Sequence, residues 1–414
     1  MLKVALVTTG CRTNQADSSA VRAALKEMPV QFVAQGTQAD VVVVNACTLT
    51  ADADRTAKKA INLAARQGAK PILAGCLATR LVNSNEATLD DVLIVPGTAD
   101  RNQLISLLKK LALGQQPQDV EKTKPLELRT RPNIKVQDGC NHSCAYCIVP
   151  SVRGPAKSVA VDQVKAAVLE AAGLGAAEVV LTGIDLASWG QDLGGKTVFD
   201  LLDALLGLNT GMRFRISSIE PHGLDEGLFQ RLAGHKDMCP FLHVPVQSGS
   251  QRILDLMNRD GNVEKLEQML RLAKQQIPGL SLGLDLICGF PGESEDDFEQ
   301  TVAFVNAVQA DNLHVFPFSK RPGTLAASML DDVPNAIKAQ RVAKLRTMAK
   351  HAREKAAASM IGTHVEVVDI KGRNQTSISK NGFAVVRPGP RRQGRFNVFI
   401  EGVDGSTLVA QELK

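Results

Sequence analysis

The sequence has no apolar run long enough to span a bilayer, no internal repeat, no low-complexity tract, and only eight cysteines in 414 residues. Without roughly 18 or more consecutive apolar residues, no transmembrane helix is expected, and with it no membrane partner. The N-terminus, Met1-Leu-Lys-Val-Ala-Leu-Val7, runs straight into a strand-like pattern and lacks the charged, apolar and small-residue sections of a signal peptide. Eight cysteines are too few for a disulfide scaffold in a chain of this length, so a reducing, cytoplasmic setting is expected. What is present is an apolar fraction of 44%, ample for buried cores, in a chain long enough for two or three domains.

The net charge of +5 is unevenly spread. Residues 335–414 hold fifteen Lys/Arg against six Asp/Glu, a net +9, which leaves −4 for residues 1–334. Two readings fit: a solvated helix face followed by a basic tail, or an electrostatic footprint for an anionic partner, nucleic acid above all.

Hydrophobic patterning divides the chain. Over 1–113, the runs Lys3–Thr8, Val41–Asn45 and Pro71–Gly75 read as buried parallel strands, with a helix from Ala53 to Gln67 stopped by Gly68. This predicts a small Rossmann-like α/β domain with its loops gathered at the C-terminal strand ends. Residues 114–131 are polar, proline-containing and aperiodic, and read as a linker. Over 132–358, strands are expected at Ile134–Val136, Glu178–Leu181, Phe214–Ile216, Leu242–Val246, Ser281–Ile287 and Leu313–Pro317, separated by helices such as Val161–Ala172 and Val263–Gln275. Six βα repeats predict a partial parallel (βα)6 barrel whose working face is the C-terminal end of the strands. A basic helix, Asn335–Ala358, closes this part. Residues 359–414 show five short β runs between Gly, Asn and Pro turns, the pattern of a small all-β barrel of a kind that commonly binds nucleic acid.

The strongest local signal is Asp138-Gly-Cys-Asn-His-Ser-Cys-Ala-Tyr-Cys147. Its C-x3-C-x2-C spacing lets Cys140, Cys144 and Cys147 bind three irons of a cubane [4Fe–4S] cluster and leaves the fourth iron open to a substrate or cofactor. The competing assignment is zinc or bare thiols, but structural zinc usually takes four ligands, and no second C-x2-C pair is present. The loop directly follows the first expected barrel strand, where such folds place active sites.

Cys11, Cys47 and Cys76 form a second, dispersed set. Each comes just after an expected strand of the first domain, so all three should share one sheet edge. They read either as ordinary buried cysteines or as a second three-cysteine cluster site. Gly10 and Gly75, which precede two of them, suit a backbone crowded against a bulky inorganic group. Cys239 and Cys288 have no partners in sequence and read as structural.

On these residues the chain resembles the radical S-adenosylmethionine (SAM) enzymes and, with the three N-terminal cysteines, the methylthiotransferases among them. The resemblance covers nearly the whole chain, including a C-terminal TRAM domain. It leans toward the branch acting on threonylcarbamoyladenosine in tRNA. The stretches carrying it are Gln137–Pro150, Val180-Leu-Thr-Gly-Ile184, Arg215-Ile-Ser-Ser-Ile-Glu-Pro221 and Leu313-His-Val-Phe-Pro-Phe-Ser-Lys-Arg-Pro-Gly-Thr324. Two positions depart from the family pattern without removing a ligand: Ala46 stands where threonine is usual, and Cys288 where valine is usual.

The resemblance implies two [4Fe–4S] clusters and SAM as both methyl donor and radical source. The open iron of the Cys140/Cys144/Cys147 cluster would chelate SAM, and the Cys11/Cys47/Cys76 cluster would hold or deliver sulfur. SAM contacts are implied for Tyr146, for Thr182 and Gly183, for Ser217, Ser218 and Glu220 near the ribose, for Gln247, and for Gly289 in Gly289-Phe-Pro-Gly-Glu293. Ser248 is expected to line the same cavity. Each of these also reads as a turn or cap residue. In the tail, Arg387, Arg391, Arg392 and Arg395 are candidate RNA-phosphate contacts, whereas Phe383, Phe396 and Phe399 fit barrel core better. The implied activity is a transferase that places a methylthio group on C2 of N6-threonylcarbamoyladenosine at tRNA position 37. Its partners would be a tRNA anticodon stem-loop, a sulfur donor and a flavodoxin- or ferredoxin-type reductant. Alternatives are the same chemistry on isopentenyladenosine tRNA or on a ribosomal-protein aspartate, and a non-catalytic iron–sulfur RNA-binding protein.

Overall fold

In the computed structural model, residues 1–84, 91–97, 101–114, 130–370 and 376–411 are described. Most of the expected linker over 114–131 lies outside the described residues. The chain divides into two compact units, one made of Met1–Glu127, Asp138–Lys157 and Ser319–Ser328, the other of Leu128–Gln137, Ser158–Phe318 and Met329–Lys414.

In the first unit, valine-rich runs with no polar alternation form strands covered on both faces. The elements are β1 (Leu2–Thr8), α1 (Arg12–Ala24), β2 (Val30–Val33), β3 (Val41–Ala46), α2 (Ala51–Arg66), β4 (Lys70–Gly75), α3 (Cys76–Asn83), β5 (Leu93–Val95) and α4 (Asn102–Leu113). The sheet order is β2-β1-β3-β4-β5 and every pairing is parallel. All six residues of β3, the central strand, are buried. Ala57 and Ile61 of α2 with Leu77 and Leu81 of α3 fill one face, while Val21 of α1 with Leu104 and Leu108 of α4 fill the other. The edge strands β2 and β5 were not foreseen: four and three residues are too few to carry a period. The strand order reverses between β1 and β3, which opens a crevice at their C-terminal ends. The same unit carries the cysteine loop and the short helix α5 (Val149–Arg153).

The second unit contains two three-stranded parallel sheets. The first runs β10 (Arg213–Ile216), β9 (Glu178–Thr182), β6 (Asn133–Lys135), and the second β11 (Phe241–Gln247), β12 (Ser281–Cys288), β13 (Asn312–Pro317). A parallel bridge from Phe214 to Met238 joins them, with Phe214 N–H donating to Asp237 O at 2.7 Å and Cys239 N–H to Phe214 O at 2.9 Å. This is the partial six-stranded barrel that the patterning predicts. Leu181, Ile216, Val244, Leu284 and Val315 pack outward into one core with helices such as α6 (Val161–Gly173) and α10 (Val263–Gln276). Helix α12 (Asn335–Ala358) precedes a closed five-stranded barrel of β14 (His364–Asp369), β15 (Thr376–Ser379), β16 (Ala384–Val386), β18 (Thr407–Gln411) and β17 (Arg395–Asp404).

Fully buried Glu178 ties that small barrel to the larger one. It accepts from Arg131 Nε (2.7 Å), Arg213 Nε (2.6 Å) and Arg215 Nε (2.8 Å). Burial alone would raise its carboxyl, but the three guanidiniums hold it far below the usual carboxylate range. Arg213 and Arg215 then donate onward to the carbonyls of Ile378 (2.8 Å) and Ser379 (3.2 Å) on β15.

Candidate active site

The three dispersed cysteines of the first unit sit at the C-terminal ends of adjacent strands. Cys11 follows β1 and caps α1, Cys47 follows β3, and Cys76 begins α3 directly after β4. Two glycines make the gathering possible. Gly10 has φ +104, and a Cβ there would lie 2.3 Å from Cys47 Cβ and 3.2 Å from its Sγ. Gly75 has φ +89, and its Cβ would meet Asn45 Oδ1 at 2.5 Å. Burial, then the nearby Cys76 and Cys11, push the Cys47 thiol up to about 12. Burial likewise raises Cys76, against the opposing charge of Arg153. Three free thiols so crowded, two of them buried, form an unfavourable array for isolated side chains. As deprotonated ligands sharing one multi-iron group they are relieved of that cost, so the donor set fits a cluster.

The contiguous loop is shaped by backbone contacts within the same unit. Gly139 has φ +69, and a Cβ there would lie 1.9 Å from Pro155 O, so this turn admits only glycine. Cys140 N–H donates to Gly154 O (3.1 Å), and Ala156 N–H to Asn141 Oδ1 (2.9 Å). The N–H groups of His142 and Val149 point at Cys140 Sγ (3.5 Å) and Cys147 Sγ (3.4 Å), as amides do around ligating thiolates. Cys140, Cys144, Tyr146 and Cys147 are half-buried. This loop too fits a cluster with one face open.

A residue that sequence reasoning missed joins the two sets. Arg153, the last residue of α5, has 1% of its side chain exposed. Its Nη1 donates to Asp138 Oδ1 (2.7 Å), beside the loop. Its Nη2 donates to Asn14 Oδ1 (2.5 Å) and Asp17 Oδ2 (3.2 Å), both on α1 behind Cys11. Burial would weaken its charge, but Cys76, Asp138 and Asp17 hold it firmly protonated. A second cationic group lies behind Cys47: Arg80 donates to Thr48 Oγ1 (2.9 Å), and Arg321 to Asp54 Oδ2 (2.7 Å), while Thr48 itself donates to Asp54 Oδ1 (2.7 Å). Buried guanidiniums of this kind complement thiolate-bound anionic groups.

In the second unit the residues expected to contact SAM line the C-terminal ends of consecutive strands: Thr182 ends β9, Ser217, Ser218 and Glu220 follow β10, Gln247 ends β11, and Gly289 follows β12. Ser217 is buried and its hydroxyl has no partner, an orphaned polar atom of the kind a ligand satisfies. Gln247 has φ +73 at a register shift in β11, a strained position for a residue with a side chain. Gly183 packs on Gln137, whose Oε1 accepts from the amides of Ile184 (2.9 Å) and Asp185 (2.8 Å). Glu220 Oε2 already accepts from Arg259 at 2.7 Å, yet burial raises its carboxyl overall. Gly289 has φ +72, and a Cβ there would lie 2.3 Å from Lys338 Cγ, so packing against α12 accounts for that glycine by itself. Ser248 Oγ pairs with Thr301 Oγ1 (3.2 Å) at the start of the next turn.

The four arginines of the small barrel are not equivalent. Arg387 is buried and bound to Asp369, and Arg395 pairs with Glu366 (2.8 Å) and Asp237. Arg391, which donates to Thr130 Oγ1 at 2.9 Å, and Arg392 are exposed. Phe383 is core, and Phe396 lies under the guanidiniums of Arg387 and Arg392. Cys239 and Cys288 are buried in the second unit, and burial raises both thiols. Among the described residues no helix is long and apolar enough to cross a membrane.

Residues 134–305 match the model of the radical SAM superfamily, and residues 3–96 that of an uncharacterized protein family, UPF0004. The chain is 32% identical to the threonylcarbamoyladenosine tRNA methylthiotransferase MtaB of Aquifex aeolicus, over 95% of this chain and 98% of that one. It is 32% identical to MtaB of Bacillus subtilis, over 91% and 86% of the two chains. The ribosomal protein uS12 methylthiotransferase RimO of Pelotomaculum thermopropionicum is 29% identical, over 92% and 91%. Among solved structures, the radical SAM methyltransferase TsrM of Kitasatospora setae, with cobalamin and a [4Fe–4S] cluster bound, superposes with a TM-score of 0.54. At 15% identity over 78% of this chain and 76% of that one, it shares the fold.

Proposed function

The chain belongs to the radical-SAM methylthiotransferases, transferases that use SAM and [4Fe–4S] clusters, and we propose that it methylthiolates C2 of N6-threonylcarbamoyladenosine in the anticodon loop of tRNA. The observation that carries the reaction type is the presence, in one unit, of two three-cysteine sets with one buried arginine, Arg153, bonded to Asp138 beside one set and to Asn14 and Asp17 behind the other. The substrate rests on full-length similarity to relatives named for that nucleoside.

Cys140, Cys144 and Cys147 would hold a [4Fe–4S] cluster, which with SAM would supply the radical chemistry, and a second SAM would supply the methyl group. The chain's own residues do the rest. Asp138 and Gly139 fix the turn from which the loop starts, and the amides aimed at Cys140 and Cys147 stabilise thiolate charge. The Ser217 hydroxyl, Thr182 and Gln247 orient SAM at the strand ends. Buried Cys47 and Cys76 hold the sulfur-delivering site away from water. Exposed Arg391 and Arg392 contribute to RNA attraction through phosphate charge. A sulfur donor and a low-potential reductant complete the partners.

The test is anaerobic reconstitution with SAM, a chemical reductant and tRNA, followed by mass spectrometry of nucleosides. Methylthio-threonylcarbamoyladenosine is expected. Methylthiolation of isopentenyladenosine or of a ribosomal protein instead would move the chain to a sister branch. A failure to form 5′-deoxyadenosine at all would leave only a non-catalytic RNA-binding protein.

A further inference from the structure

On strands β11, β12 and β13, alternate residues point to opposite faces. Leu242, Val244, Leu284, Leu286, Leu313 and Val315 belong to the helix-covered core, so His243, Asp285, His314 and Phe316 occupy the inner face of the sheet. Three of these form one cluster. His243 Nε2 lies 2.8 Å and His314 Nδ1 3.1 Å from the same oxygen, Asp285 Oδ1, with the two rings 4.6 Å apart. Burial would raise the Asp285 carboxyl, but the two imidazoles hold it well below the usual carboxylate range. An ionised carboxylate only accepts, so both facing ring nitrogens carry a hydrogen and donate to it.

The cluster is built for, rather than incidental. Gly283 pairs with His243 across β11 and β12, and a Cβ there would fall 2.3 Å from His243 Nδ1. No positive φ calls for glycine at this position, so its missing side chain is room for the imidazole. His243 is 6% exposed and anchors the group, whereas His314 is 55% exposed and carries its Nε2 to the open inner face. Two residues along the same strand face, and nearer its C-terminal end, Phe316 is 43% exposed, an unusual state for a phenylalanine inside a barrel sheet.

We propose that Phe316 and His314 form the seat of the modified base: Phe316 stacks on the adenine, and His314, held by Asp285 and His243, pairs as the imidazolium with the carboxylate at the end of the N6 substituent, giving Nδ1–H to Asp285 and Nε2–H to that carboxylate. The proposal rests on the threonylcarbamoyladenosine reading above. Two residues of strand advance about 7 Å, a span that suits an adenine ring and the tail on its N6. Aromatic stacking takes any base and so gives affinity. The oriented imidazole distinguishes an acidic tail from an apolar one, because an apolar tail would cover its N–H and leave it unmatched. His243 and Asp285 are positioning residues in this arrangement.

The test uses the reconstituted full chain and two anticodon stem-loop RNAs. One carries N6-threonylcarbamoyladenosine and the other the methyl ester of its threonine carboxylate. Wild type is expected to bind the acid about 10- to 100-fold more tightly than the ester, the range for a charged hydrogen bond. His314→Ala should lose that preference, weakening acid binding by the same factor while changing ester binding little. His314→Gln, which still presents a donor to Asp285, guards against an alanine variant that fails to fold. Phe316→Ala should weaken both RNAs about equally, by roughly 10-fold. Equal losses on acid and ester for His314→Ala, or no loss, overturn the seat. So does a wild type that binds and methylthiolates acid and ester alike, although the substrate assignment then stands. A wild type that modifies neither overturns the assignment and the seat with it.

Discussion

The two cysteine sets of the first unit reach the same three-thiol arrangement by opposite means. Cys140, Cys144 and Cys147 lie within eight residues, and a glycine turn with loop hydrogen bonds is enough to shape them. Cys11, Cys47 and Cys76 are spread over 66 residues and converge only because β1, β3 and β4 are parallel neighbours whose ends share one crevice. The first set is half-buried and the second contains two fully buried thiols. A local loop can therefore leave one face open to a cofactor. A site assembled from strand ends encloses its contents, which suits holding sulfur out of water.

The largest effects come from breaking one set while sparing the other. Cys144→Ala should abolish 5′-deoxyadenosine formation and hence all product. Cys76→Ala should abolish methylthio product while SAM cleavage continues. In both variants iron should fall from about eight to about four per chain, because each set is expected to carry one four-iron group. Iron staying near eight in Cys76→Ala would mean that the strand-end thiols bind none.

The contrast also explains what the sequence could reveal. Fixed C-x3-C-x2-C spacing is a one-dimensional signal and survives translation into structure intact. The dispersed set was legible because Val41–Asn45 and Pro71–Gly75 are apolar throughout, which marks parallel strands and places the residues after them on one edge. Arg153 carried no such mark: a single arginine between valine and glycine acquires its role only when α1 brings Asn14 and Asp17 to it. The same limit applies to the basic tail. Charge counting treats Arg387 and Arg395 as equivalent to Arg391 and Arg392, but Asp369, Glu366 and Asp237, up to 158 residues away, engage the first two. The His243, Asp285 and His314 cluster was hidden for the same reason, since strand register alone brings its members together.

If Arg153 ties the sets together, its loss should not respect the distinction between them. Arg153→Ala removes a guanidinium from Asp138 and another from Asp17, which keeps Arg101 at 2.7 Å. Removing one partner of buried ion pairs costs about 3–5 kcal/mol. The melting temperature should drop on the order of 10 °C, and iron retention should fall at both sets. Arg153→Lys keeps the charge but cannot span all three acceptors, so it should fall between alanine and wild type. Loss of iron from only one set would show that each stands alone.

A smaller effect sharpens the contrast in enclosure. In the metal-free protein, alkylation with iodoacetamide followed by peptide mass spectrometry reads each thiol separately. The half-buried loop cysteines should react about 10-fold or more faster at pH 8 than Cys47 and Cys76, each 4% exposed. The pH dependence at Cys47 has a definite sign. Burial favours its neutral thiol and lifts its ionisation to about 12, so little thiolate is present at pH 8, and each unit toward pH 10 should raise its rate about tenfold. An exposed cysteine of ordinary acidity levels off once the pH passes about 8.5. A Cys47 rate that levels off in the same place would mean that the strand-end crevice is open to water, and the contrast between the two sets would reduce to spacing alone.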